Sequence, residues 1–281
     1  MKNALLFAVL ILAGCTHNEG LQPALSMEPA KETTPSASTA LDDNLSAKLI
    51  RPDVWLVQDR SFYDTNVMLA RMPDGTVVIA SSFIDTPKTA RLIAWIKKNL
   101  KPKEIRAINT HFHFDGTGGN EAYHREGVQT WSTQETLSLY KGRADSMRSS
   151  LAATLPDKQQ GQDLRETKNT FADHIFSAAA GLEWDLQGEK VIVYYPGPAH
   201  SPDNLVVYLP AKKILFGGCM VRALDYDLGN TQDGDLKNYR KSVLSLRRFP
   251  AEIVIPGHGR MGGMDLIEHT IQLASMPTQK P

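Results

Sequence analysis

Thr110-His111-Phe112-His113-Phe114-Asp115-Gly116-Thr117-Gly118-Gly119-Asn120 decides how the rest of the chain reads. It follows at once on Glu104 to Asn109, a run with strand composition, so two imidazoles and a carboxylate stand on a loop at a strand end. All three are good zinc ligands, and a His-x-His-x-Asp triplet supplies them compactly. Alone the triplet is only suggestive. Outward from it, His200 lies in Pro196-Gly197-Pro198-Ala199-His200-Ser201-Pro202-Asp203, and His258 in Ile255-Pro256-Gly257-His258-Gly259, each after another strand-like run. Cys219 ends Leu215-Phe216-Gly217-Gly218-Cys219-Met220. A lone buried cysteine is ordinarily a small hydrophobe, but this one also ends a strand, and the two glycines before it permit close backbone approach. His17, His124, His174 and His269 fall in a polar N-terminal stretch or in helical stretches and read as surface or packing residues.

Around these ligands the chain alternates strand and helix. Val54–Val57, Asn66–Ala70 and Thr76–Ala80 are β-rich runs separated by turn chemistry such as Pro73-Asp74-Gly75, which predicts an antiparallel meander. Thr86 to Leu100 has helical spacing, with Thr86 as the expected cap and Pro87 in the first turn. The second half predicts strands at Val191–Tyr195, Leu205–Leu209, Lys213–Phe216 and Glu252–Ile255, with helices over Asp235–Arg248 and Asp265–Ala274. The whole implies a layered α/β domain over residues 48–281. Ser132 to Phe176 reads as a solvated helical insertion interrupted at Pro156 and Gly161, with a cover over one side of the site as the functional alternative.

Before residue 48 the composition changes. Met1-Lys2-Asn3 and the apolar run Ala4–Leu12 are too short to span a bilayer and read as a secretory leader. The ending Leu12-Ala13-Gly14-Cys15 resembles a bacterial lipobox, which predicts lipidation of Cys15 and, with Thr16 following, an outer-membrane anchor facing the periplasm. Residues 16–47, rich in Ser, Thr, Pro and Ala, read as a flexible tether. The 281 residues carry 31 basic and 31 acidic side chains, so no overall field gathers nucleic acid. With Cys15 and Cys219 given unrelated tasks, no disulfide framework is expected.

The order His-x-His-x-Asp, His, Cys, His resembles the class B or metallo-β-lactamases of the first subclass, over nearly the whole chain after the tether. His111 to Asn120, Pro196 to Asn204 and Phe216 to Met220 are most similar to the São Paulo type, which also carries a mid-chain helical insertion. The resemblance implies an αββα sandwich with two Zn2+ ions, the first held by His111, His113 and His200 and the second by Asp115, Cys219 and His258. Three imidazoles leave an open position, while carboxylate, thiolate and imidazole make a softer site. Two such metals roughly 3.5–4 Å apart share a hydroxide at neutral pH. Neither Ser-x-x-Lys nor Gly-x-Ser-x-Gly occurs to offer a serine nucleophile.

The implied reaction is hydrolysis of the β-lactam ring of antibiotics by a metal-bound hydroxide, oriented by Asp115 and conferring resistance, in a monomer whose partner is a small-molecule substrate. Arg222, three residues after Cys219 where the family most often has lysine, is the candidate for the substrate carboxylate, and Asn230 for the lactam carbonyl or oxyanion. Asn230 after Gly229 reads equally as turn chemistry. Phe62 and Tyr63, in Asp59-Arg60-Ser61-Phe62-Tyr63-Asp64, correspond to the loop over the family's site and would pack on the drug or close the core. In the wider superfamily a histidine usually follows the aspartate and an aspartate bridges the metals; Gly116 and Cys219 depart from both. A thioester or phosphoester hydrolase of the same fold and a non-catalytic zinc-binding lipoprotein are the rival readings.

Overall fold

Alternating apolar side chains in the first half of the chain build a sheet that is buried on both faces. The computed structural model describes residues 38–276. Its first sheet runs in chain order through β1 (Ser38–Ala40), β2 (Leu45–Arg51), β3 (Val54–Asp59), β4 (Thr65–Arg71), β5 (Thr76–Ala80), β6 (Glu104–Ile108), β7 (Gln129–Thr133) and β8 (His174–Phe176). Pairing is antiparallel up to β5, as expected of a meander, and parallel from β5 to β8. Parallel neighbours need crossovers, and α1 (Thr86–Leu100) returns the chain from β5 to β6. The short α2 (Phe114–Thr117) and α3 (Asn120–Arg125) lie between β6 and β7. After α4 (Gln134–Thr154) and α5 (Lys158–Glu166), a second sheet forms from β9 (Leu182–Leu186), β10 (Glu189–Tyr194), β11 (Val206–Leu209), β12 (Ile214–Gly218) and β13 (Ile253–Pro256), in the order β13-β12-β11-β10-β9. Helices α6 (Leu236–Leu244) and α7 (Asp265–Leu273) complete it.

The two-residue period of a strand then sorts the core into layers. On β4, Met68 and Ala70 meet Val191, Val207, Phe216 and Ile255 of the second sheet, whereas Val67 and Leu69 meet Leu92, Ile93 and Ile96 of α1. On the far side, Tyr208, Leu215 and Val254 pack against Tyr239 and Val243 of α6 and Leu266 and Ile267 of α7. Helix, sheet, sheet, helix is the αββα sandwich that the resemblance implied.

Four boundaries differ from expectation. The leader, Cys15 and residues 16–37 of the tether lie outside the described residues, but the tether's end is strand: Leu45 and Ala47 are buried, and Asp42 Oδ1 accepts from the backbone N–H of Asn44 and Leu45. Small and polar residues hid a strand whose buried face is only two side chains wide. Helix α1 is capped by Asp85, whose side chain accepts from Lys88 N, and not by Thr86. Pro156 separates α4 from α5 as predicted, yet Gly161 sits inside α5, where a Cβ would lie 2.9 Å from Ala152 O. Finally, the α4–α5 segment is not merely solvated: Tyr140, Ala144, Ala152, Leu155 and Leu164 pack with Phe62, Ile84, Phe112 and Phe114 beneath the His111–Asp115 loop.

Candidate metal centre

The parallel strands fix where the ligands gather. β6 of the first sheet and β10, β12 and β13 of the second all end at one edge of the sandwich, and the loops leaving them carry His111, His113 and Asp115, then His200, Cys219 and His258. The edge is stitched by backbone: Leu205 N donates to Thr110 O at 2.7 Å, Asn66 N to Gly257 O at 2.8 Å, and Asn66 Nδ2 to Pro256 O and Gly259 O. Glycine is needed at two points there. A Cβ at Gly257 would lie 2.5 Å from Cys219 Sγ, and one at Gly116 would lie 2.2 Å from His111 O. By contrast, the glycines before Cys219 serve the loop and not a ligand: a Cβ on Gly217 would strike Val221 at 2.4 Å, and Gly218 has φ +59°.

All six expected ligands come together. The rings of His111, His113 and His200 stand pairwise edge-on with centroids 4.9, 5.0 and 5.6 Å apart, and His113 Nδ1 faces His200 Nε2 at 3.2 Å. Beside them, Asp115 Oδ2 is 3.0 Å from both Cys219 Sγ and His258 Nε2, and Cys219 Sγ is 3.5 Å from His258 Nε2. Ligand atoms of Asp115, Cys219 and His258 all lie within 4.8 Å of one another, as do those of His111, His113 and Asp115, and those of His111, His200 and Cys219.

Electrostatics fit a cation at this cluster. Burial would raise Asp115, but His111 and His258 beside it hold the carboxyl well below its usual range. Burial, reinforced by Asp115, pushes the Cys219 thiol well above its usual value, with Arg222 opposing. Burial and the neighbouring imidazoles hold His200 and His113 low, in the neutral form that ligates. His111 moves the other way, because Asp115 outweighs burial. His111 Nε2 is moreover buried, facing Asp115 Oδ1 at 3.3 Å outside good hydrogen-bond geometry. A buried imidazole nitrogen, a carboxylate and a thiol brought together without good hydrogen bonds are costly unless a cation joins them.

Hydrogen bonds behind the ligands orient them. His258 Nδ1 donates to Tyr63 O at 3.0 Å, leaving Nε2 for the cluster. His113 Nε2 donates to Asp233 Oδ2 at 2.9 Å, and Asp233 Oδ1 accepts from Arg143 at 2.6 Å. Burial would raise Asp233, but these two bonds hold it below the usual range. Sequence reasoning missed Asp233 and Arg143. The first sits in a turn-like run and the second in the segment read as solvated.

The expected substrate residues divide. Phe62 is buried with Ile84, Phe112 and Phe114 and is a core residue, whereas Tyr63 is 69% exposed with its ring 6.5 Å from that of His258. Arg222, the candidate for the substrate carboxylate, is only 7% exposed; its Nε donates to Asp227 O at 2.6 Å and its Nη2 lies against Gly229. Asn230 is exposed, and its Oδ1 accepts from Gln232 N at 3.0 Å, the turn chemistry foreseen as its alternative. His124, His174 and His269 stand apart from the cluster as expected, bonded to Thr130, stacked on Trp131 and bonded to Tyr226 O respectively.

Comparison with known proteins agrees with this geometry. Residues 61–258 match the family model of the metallo-beta-lactamase superfamily. The chain is 34% identical over 221 residues to a metallo-beta-lactamase type 2 of Bacteroides fragilis, covering 74% of this chain and 78% of the relative. It is 28% identical over 285 residues to a metallo-beta-lactamase type 2 of Bacillus cereus, covering 97% and 99%. Among solved structures, a metallo-beta-lactamase from Pontibacter korlensis superposes with a TM-score of 0.68 at 31% identity, covering 83% of this chain and all of the other.

Proposed function

The chain belongs to the metallo-β-lactamase superfamily and is an enzyme of it, and from that premise we propose that it hydrolyses the β-lactam ring of antibiotics with two zinc ions, thereby conferring resistance. One observation carries the reading: three imidazoles and a separate carboxylate, thiol and imidazole converge on a single edge, with the donor atoms of the second set within 4.8 Å of one another. His111, His113 and His200 would hold one metal, and Asp115, Cys219 and His258 the other. Bound there, zinc lowers the pKa of a water to near neutrality and polarises a carbonyl.

The chain's own groups do the rest. Asp115, kept ionised by His111 and His258, orients the attacking water by accepting its hydrogen bond at a buried carboxylate oxygen. Tyr63 O fixes the His258 tautomer, and the exposed Tyr63 ring offers an apolar surface beside it. The Asn230 amide supplies a donor for the lactam carbonyl oxygen. Arg222 acts from beneath: its charge favours the Cys219 thiolate, and any contact with the substrate carboxylate is left to its terminal nitrogens at Gly229.

Gly116 supports this reading over a thioester or phosphoester hydrolase. The histidine usual there in the wider superfamily would put its Cβ 2.2 Å from His111 O. Within the family we place the chain nearest the São Paulo type, on Pro196 to Asn204 and the helical segment α4–α5. The leader and Cys15 support an enzyme held in the periplasm by an outer-membrane lipid, which we take to act as a monomer.

Metal analysis together with nitrocefin turnover tests the proposal. Bound zinc with rapid ring opening, reversibly stopped by dipicolinate and untouched by clavulanate, is expected. Bound zinc without turnover of any β-lactam, or inhibition by clavulanate with indifference to chelator, would reject it.

A further inference from the structure

The proposed metal site leaves unexplained why a basic side chain from the mid-chain helices reaches its back. Arg143 stands in the middle of α4 and donates from Nη1 to Asp233 Oδ1 at 2.6 Å, while its guanidinium carbon lies 4.9 Å over the ring of Phe112. The other oxygen of Asp233 receives His113 Nε2 at 2.9 Å, so the opposite nitrogen, Nδ1, is turned toward His200. Phe112 is fully buried, and the Asp233 side chain is only 14% exposed. The guanidinium therefore rests on a fixed ring and grips a carboxylate that in turn grips an imidazole.

Each link constrains the next. An imidazole can flip or exchange tautomers, and a ligand is productive only with its lone pair aimed at the metal. Asp233 comes from an irregular loop between β12 and α6, with no regular element to fix its side chain. Arg143 is the neighbour that supplies this anchorage, because its charge-assisted bond holds one carboxylate oxygen and leaves the second aligned on His113.

We propose that Arg143 is a positioning residue, through Asp233, for His113 in the three-histidine metal site, so that the helical insertion is part of the metal-binding machinery. The inference rests on the reading of His111, His113 and His200 as ligands. It does not depend on which substrate the enzyme takes.

The test uses cobalt(II) ions as the probe on metal-free protein, without any β-lactam. Cobalt at the three-histidine site reports through its visible ligand-field bands, and cobalt beside Cys219 through thiolate charge transfer in the near ultraviolet. Titration against a chelator should show the Arg143→Ala variant binding at the histidine site about 10–100-fold more weakly. Its thiolate band should fill as in the parent. Arg143→Lys should recover part of the affinity because the charge persists while the planar fork does not. Asp233→Asn should weaken the same site. Unchanged affinity in Arg143→Ala would overturn the proposal, and so would an equal loss at both sites, since Arg143 would then only support α4. Circular dichroism at matched temperature confirms that the variants are folded. A parent that binds cobalt normally yet opens no β-lactam refutes the proposed function and leaves this inference standing.

Discussion

At Cys219 two requirements oppose each other: the sulfur must lose its proton to ligate, while burial and Asp115 at 3.0 Å both favour the thiol. A metal held by the proposed second set would resolve the conflict, with the Arg222 charge assisting. Cys219→Ser should therefore lose one zinc per chain and most turnover while keeping the three-histidine metal and the fold, because a serine hydroxyl does not become an alkoxide under these conditions. Full zinc content with full activity would remove Cys219 from the site. Arg222 leads to a different expectation from the one its sequence position invites. A surface cation would raise KM alone when replaced by alanine. As a 7% exposed side chain bonded to Asp227 O, it should also take down stability by about 2 kcal/mol, visible in urea unfolding. An unchanged urea midpoint would show that the residue is not anchored as described.

Helix α1 begins over a buried polar cluster that also ties down the loop carrying Tyr63. Lys88 pairs with Asp59 at 2.5 Å and bonds Ser61, and Gln160 of α5 donates to Ser61 at 3.1 Å. The cap residue Asp85 belongs to this cluster, and burial raises its pKa from 3.8 to about 6 despite the Lys88 N–H and charge that oppose it. An acid whose folded pKa is raised binds protons more tightly when folded. Its cost is absent below the unfolded pKa, grows as pH rises from about 4 to about 6, and is fully present above. Asp85→Asn keeps the capping oxygen and removes the titration. Relative to the parent it should gain up to about 3 kcal/mol between pH 4 and pH 7 and nothing further above. Parallel stability curves for the two proteins would show that Asp85 carries no such burden. What was legible at this scale follows from locality. Helix α1 and the six candidate ligands were readable because each of these residues leaves a strand within a few positions, beside Gly or Pro that mark the loop. The cap moved by one residue because Asp85 and Thr86 are both good capping types. Asp233 and Arg143 were illegible because their partners lie 120 and 90 positions away.

Across the whole molecule, each proposed metal takes ligands from both halves of the chain. His111 and His113 follow β6 of the first sheet and His200 follows β10 of the second; Asp115 follows β6, while Cys219 and His258 follow β12 and β13. A metal there is a cross-link between sheets that already share a continuous apolar layer of Met68, Val78, Val191, Val207, Phe216 and Ile255. The layer and the Leu205–Thr110 and Asn66–Gly257 backbone bonds do not need the metal, so the metal-free protein should stay folded, with an unchanged far-ultraviolet spectrum. Binding only the native state should nevertheless raise stability by mass action, by about 4 kcal/mol at a thousandfold excess over Kd. For a domain of this size that is roughly 8–16 °C in Tm. Calorimetry of chelated protein, titrated back with zinc, should show Tm climbing with free zinc. Cys219→Ser should retain only part of the climb, since one of its two cross-links is lost. If Tm is indifferent to zinc while activity requires it, the unfolded chain would bind zinc as well as the native one does, and the assignment of ligands gathered from both sheets would fall.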